Sequence, residues 1–186
     1  MVTESYSDEK ERELVKASIN GDKNAFGEIV RNYRRMVAAT VKGMLGDSVF
    51  AEDLGQEVFI KLYYSLRDFR GEAKLSTYIQ KIAVNMTLNE LKKRKKVTSL
   101  FSQKGDDEIY EMDIPDIDFA ERREAEEIVN KALLSLEPGF RLVVTMRLLQ
   151  GYSTRETAEI LEIPEGTVLS RLSRAQEQLR HILKKL

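Results

Sequence analysis

Apolar residues recur three and four positions apart along almost the whole chain, and this periodicity leaves few folds open to it. The pattern runs through Phe26, Ile29, Val30, Tyr33, Val37, Val41 and Leu45, then through Leu54, Val58, Phe59, Leu62 and Leu66, with no alternation that would mark a strand ladder. Only three prolines are present to interrupt it. The expected fold class is all-α. The period lapses once, over Val97–Phe119, where Gly105-Asp106-Asp107, Pro115 and a cluster of carboxylates replace it. That lapse predicts two small helical domains, residues 1–96 and 120–186, joined by a flexible acidic linker at 97–119.

Local signals place the helix ends. Asn20-Gly21 stops a first helix of about Glu9 to Ile19, because glycine supplies the left-handed turn. Asp22 and Ser48 are placed to cap the second and third helices. A fourth is expected from Ser76 to about Lys96, closing on Lys92-Lys93-Arg94-Lys95-Lys96. Beyond the linker the period resumes near Ala120 with Ile128, Val129, Leu133, Leu134 and Leu136, and Pro138 suits the first turn of the next helix.

The 186 residues carry 30 basic and 31 acidic side chains, a net charge of −1. Evenly mixed, that balance would argue against a nucleic-acid partner. It is not evenly mixed. Residues 1–96 hold 18 basic and 14 acidic groups, 97–120 hold one and seven, and 121–186 hold eleven and ten, so two positively biased domains flank a tether of net −6. The absence of cysteine excludes disulfides, thiolate zinc sites and cysteine nucleophiles together. No apolar run approaches the roughly 20 residues of a membrane-spanning helix, and Met1-Val2-Thr3-Glu4-Ser5 lacks the basic-then-apolar order of a signal peptide. A cytoplasmic protein without cofactor or metal is expected.

The densest local signal lies in the second domain. Ser153 followed by Glu156 makes a capping box just after Gly151, Ala158 is small where two helices cross, and Pro164 ends one helix and admits the next. This is the layout of a helix-turn-helix, whose second helix enters the major groove. That helix is expected to turn Val168, Leu172, Leu179 and Leu183 inward and to carry Thr167, Ser170, Arg171, Ser173 and Arg174 on its other faces. Arg174, Ser170 and Ser173 suit base edges, whereas Arg171 suits a phosphate or a contact within the domain.

In the first domain, Asp53 and Glu57 are four apart on one helical face with Gln56 beside them. No cysteine or histidine accompanies them, and the sole histidine, His181, lies in the other domain, which argues against a metal centre or an acid–base pair. The blocks Ala51-Glu52-Asp53-Leu54-Gly55-Gln56-Glu57-Val58-Phe59-Ile60-Lys61, Asp68-Phe69-Arg70-Gly71 and Ser76-Thr77-Tyr78-Ile79-Gln80-Lys81-Ile82-Ala83-Val84-Asn85 resemble the signature of bacterial extracytoplasmic-function (ECF) sigma factors. Gly166-Thr167-Val168-Leu169-Ser170-Arg171-Leu172-Ser173-Arg174-Ala175 resembles the last block of the same family. The resemblance spans both domains in the right order.

It implies a promoter-specificity subunit that is not itself an enzyme and takes no small-molecule substrate. Its implied partners are core RNA polymerase, promoter DNA and an anti-sigma factor, which in many members is membrane-tethered. By the same resemblance Asp53, Leu54, Gln56, Glu57 and Phe59 bind core polymerase. Phe69, Tyr78, Lys81, Asn85, Asn89, Lys92, Lys93 and Arg94 open and read the minus-ten element, and the second helix of the helix-turn-helix reads the minus-thirty-five element. The acidic linker would thread polymerase channels later filled by nucleic acid. Two positions depart from the family: Tyr78 stands where tryptophan is usual, and Leu169 where many members have lysine or arginine. From the residues alone, a stand-alone helix-turn-helix regulator with a sensing or dimerising first domain is the alternative.

Overall fold

The computed structural model describes residues 8–101 and 120–184, apart from the side chains of 8, 96–101 and 120–125. The described residues are helical with no strands. The first module contains α1 (Asp8–Ile19), α2 (Lys23–Leu45), α3 (Val49–Ser65), a 3₁₀ turn at Leu66–Asp68, and α4 (Leu75–Phe101). The second contains α5 (Ala120–Leu134), α6 (Pro138–Val144), a π-helical turn at Thr145–Leu149, α7 (Thr154–Leu161) and α8 (Glu165–Leu183). None of these helices is long and apolar enough to cross a membrane.

Short polar caps set the boundaries. Asp22 Oδ1 accepts from the backbone N–H of Asn24 and Ala25, at 2.8 and 3.2 Å, and Ser48 Oγ accepts from Ala51 at 3.2 Å. Gly21 and Gly151 have φ of 95° and 76°, left-handed values that favour glycine. Helix α4 continues to Phe101, past the expected stop at Lys96, because lysine and arginine are good helix formers and no glycine or proline interrupts 92–101. The rest of the acidic linker, 102–119, lies outside the described residues.

Helices α2, α3 and α4 enclose the first core, with Ile29, Val37, Val41, Met44, Val58, Leu62, Leu75, Ile79 and Ala83 all essentially inaccessible. In the second module Leu133, Leu136, Val144 and Ala175 form a smaller core, against which Phe140, Leu172, Leu179 and Ile182 pack. Leu183, expected inward, is exposed, and Ile182 takes the position. The buried stripe steps 168, 172, 175, 179, 182, and the next inward step after 179 falls three residues on rather than four.

The two modules pack against each other. Leu142, Met146 and Ile160 of the second module belong to the same buried cluster as the α2–α4 core. At the seam three side chains close a hydrogen-bonded ring. Thr40 Oγ1 donates to Gln80 Oε1 (2.7 Å), Gln80 Nε2 to Gln150 Oε1 (2.6 Å), and Gln150 Nε2 to Thr40 Oγ1 (2.9 Å). Gln80 also donates to the Tyr152 hydroxyl at 3.1 Å. The Arg141 guanidinium, 6% exposed, donates to the Leu134 and Leu136 carbonyls of its own module and to Met44 O across the seam at 2.5 Å. Burial lowers its pKa to about 10, which leaves it charged at neutral pH.

Candidate nucleic-acid interface

The helix-turn-helix is built by local chemistry. Ser153 Oγ accepts from the Glu156 N–H at 3.1 Å while the Ser153 N–H donates to the Glu156 carboxylate at 2.8 Å, so the capping box closes in both directions. Helix α7 ends at Glu162 in the left-handed region (φ 54°), which turns the chain into Ile163-Pro164 and starts α8. The Ser153 backbone bond, then its side-chain bond, hold the Glu156 carboxyl below the ordinary carboxylate range. A depressed folded-state pKa stabilises the fold above the ordinary carboxylate pKa, and the contribution is lost as pH falls through the lowered value. Ser153→Ala is expected to lower the unfolding free energy by about 1 kcal/mol at neutral pH. The deficit of Glu156→Gln relative to the parent should shrink as the pH drops through the carboxylate range. Denaturant titrations at neutral and acid pH check both.

On α8, Val168 and Ala175 are fully buried, and the opposite face presents Ser170, Ser173 and Arg174 to solvent. Thr167 is half-buried, and its carbonyl accepts from the Ser170 hydroxyl at 3.1 Å. Arg171 is half-buried with Nη1 3.6 Å from where a Cβ on Gly139 would lie, a contact within the module.

The minus-ten candidates lie on α4 and the turn before it. Phe69 and Tyr78 are half-buried with ring centroids 5.1 Å apart, and the Tyr78 hydroxyl donates to Ser65 O at 3.0 Å. They form a tilted aromatic pair anchored to the core beneath. Asn85 and Asn89 are exposed one turn apart, and Lys92 and Lys93 are exposed beyond them. Lys81 is bridged to Glu162 of the second module at 3.2 Å. Arg94 is half-buried, 3.3 Å from Glu90 and 4.0 Å above the Phe50 ring, so its charge is engaged inside the module.

On α3, Asp53, Gln56 and Glu57 are exposed on one face. Leu54 is 5% exposed, and Phe59 is half-buried against the core. These two therefore support the face from beneath, because positions 54, 58 and 62 are the inward stripe of the helix. Beyond the residues expected from the sequence, the face continues in Ile60 (58% exposed), Tyr63 (42%) and Tyr64 (74%), which follow Gln56 and Glu57 by helical steps of three and four. Tyr63 packs edge-on to Phe26, with centroids at 5.0 Å. The spacing alone carried the signal, but α3 is apolar on nearly every side, which hid it.

Fold and site define a two-module helical protein of the helix-turn-helix type. Residues 29–97 match Sigma-70 region 2 and residues 126–179 match Sigma-70, region 4. The chain is 32% identical over 185 residues to the RNA polymerase sigma-H factor of Pseudomonas aeruginosa, covering 96% of each. It is 31% identical over 182 residues to the ECF RNA polymerase sigma factor SigW of Bacillus subtilis, covering 94% of this chain and 97% of that one. Its fold resembles the sigma factor RpoE from Bartonella quintana, solved in complex with the anti-sigma factor NepR, at a TM-score of 0.66 and 22% identity, covering 86% and 96% of the two chains. The chain belongs to the RNA polymerase sigma factors, in their extracytoplasmic-function class. Matches to sigma regions in both halves favour this over a stand-alone regulator.

Proposed function

We propose that this chain, in the cytoplasm and without catalysing a reaction itself, directs core RNA polymerase to promoters through three separate surfaces. The boundaries 1–96, 97–119 and 120–186 divide the work. Asp53, Gln56 and Glu57, extended by Ile60 and Tyr64, dock on the polymerase as a carboxylate and amide patch with apolar anchors. The Phe69–Tyr78 pair, Asn85, Asn89 and the Lys92-Lys93 pair engage the opened minus-ten element, where stacking, amide hydrogen bonds and phosphate contacts offset unpairing. Ser170, Ser173 and Arg174 read the minus-thirty-five element in the major groove. Engaging both elements at once requires the packed modules to part. An anti-sigma factor is the expected controlling partner, as for the Bartonella quintana relative.

The observation that carries this reading is the outward Ser170, Ser173 and Arg174 face of α8 behind a closed capping box, in the module that matches Sigma-70, region 4. Sequencing the transcripts that core polymerase initiates with and without the chain tests it. A set of new start sites sharing two upstream elements is expected, and Arg174→Ala should weaken initiation at those starts with core binding unchanged. No promoter-specific transcript, or equal loss of core and promoter binding in Arg174→Ala, would overturn it.

A further inference from the structure

Leu169 stands on α8 at the edge of the polar face, 55% exposed, and joins neither apolar core of the described residues. Its neighbours along the helix surface are Glu165 and Gly166, four and three residues before it, and Leu172 and Ser173, three and four after. Gly166 has no side chain, and a Cβ built there would meet nothing within 4 Å. The Ser170 hydroxyl beside it is turned back on the Thr167 carbonyl. Leu169 is therefore the one exposed apolar side chain over the first turns of α8, standing beside the short Gly166, Ser170 and Ser173.

The surroundings narrow what it can meet. A protein partner held by apolar burial needs a contiguous patch. The next exposed apolar side chain on α8 is Leu183, fourteen residues and about 21 Å further along the axis. Between them Arg174 and Arg180 are exposed. An isolated apolar group among hydroxyls and guanidinium groups matches the major groove, where phosphates line the walls and the apolar features of the floor are isolated C5-methyl groups of thymine.

Resting on the reading of α8 as the promoter-reading helix, we propose that Leu169 is a specificity-determining residue that packs on a thymine C5-methyl in the upstream promoter element. It contributes no hydrogen bond and no charge. Its preference is for an A·T pair in one orientation at one step, through a group that cytosine lacks and that uracil lacks as well. Hydrogen-bonding neighbours Ser170, Ser173 and Arg174 fix the register that brings the methyl under it.

The test uses the full chain assembled with core polymerase and a promoter identified by transcript sequencing. Each thymine of the upstream element, on either strand, is replaced in turn by deoxyuridine, which removes only the methyl group. At one position binding should weaken about fourfold, the worth of one buried methyl-sized group. In Leu169→Ala, whose exposed side chain takes no part in the core, the same replacement should have no effect, so the two changes are coupled. 5-Methylcytosine at that position, paired with guanine, should regain part of the contact in the parent and none in the variant. The proposal is overturned if no uracil replacement weakens the parent, or if the penalty persists undiminished in Leu169→Ala. Arg174→Ala separates the two levels of failure. If it weakens upstream binding while uracil is silent, the promoter reading stands and the role of Leu169 falls; if no promoter-specific binding occurs at all, both fall.

Discussion

A chain carrying Asp53→Lys and Glu57→Lys will bind core polymerase at least about a hundredfold more weakly than the parent, with its thermal unfolding essentially unchanged. Both carboxylates are exposed on one face of α3, while the residues that hold that helix, Leu54, Val58 and Leu62, point the other way. Exposed substitutions away from caps and cores seldom move stability by more than about 0.5 kcal/mol. On the proposed docking the carboxylate patch meets a complementary basic surface, so reversing two charges turns attraction into like-charge contact, and such juxtapositions cost several kcal/mol. Each 1.4 kcal/mol is tenfold in affinity. Titration of labelled chain with core enzyme reads the affinity and circular dichroism the fold. Unchanged affinity would remove this face from the polymerase contact. Ile60→Ala and Tyr64→Ala should weaken binding less and with little dependence on salt, since they remove apolar area rather than charge.

Much of this architecture is legible because it is local. Ser153 and Glu156 are three residues apart, Asp22 and Ser48 sit beside the helices they cap, and Pro138 occupies the first turn of α6, so each of these ends is determined within one helical turn. Outward residues of α8 follow from the same period. What the sequence hides is long-range and polar. Thr40, Gln80 and Gln150 are 40 to 110 positions apart and individually read as surface residues, yet together they satisfy one another at a buried seam. Arg141 reads as a solvated base but is the buried donor that ties α5, α6 and α2. No periodicity encodes such pairings; they depend on how two finished surfaces meet.

Gly43→Leu will separate the modules. A Cβ on Gly43 would lie 2.7 Å from Thr145 Cγ2 and 3.0 Å from its Oγ1, and Thr145 is fully buried and β-branched, so its χ1 is restricted and the seam must shift to admit a side chain. Glycine inside a helix costs about 1 kcal/mol relative to alanine, so a side chain at position 43 favours α2 itself while wedging the seam. Stability of the first module and docking of the second should therefore move in opposite directions. The parent should show the radius of gyration of a compact chain of this length, about 16 Å, and the variant should rise above about 20 Å by small-angle scattering, because only the tether then links the modules. The functional consequence follows from distance. With Lys81 bonded to Glu162, the chain between Glu162 and Arg174 allows no more than about 40 Å between the α-carbons of Lys81 and Arg174. The minus-ten and minus-thirty-five elements are about 25 base pairs apart, or about 85 Å at 3.4 Å per step. A stretched tether of the 18 residues between α4 and α5, 102–119, reaches about 60 to 65 Å and, with the modules themselves, spans that gap. Core polymerase must then bind a state the parent populates only in part, which weakens its apparent affinity by that fraction. Gly43→Leu should tighten core binding about tenfold, opposite in sign to the α3 reversal. An unchanged radius would show that the seam tolerates the wedge, and a larger radius without tighter binding would show that polymerase does not require the modules to part.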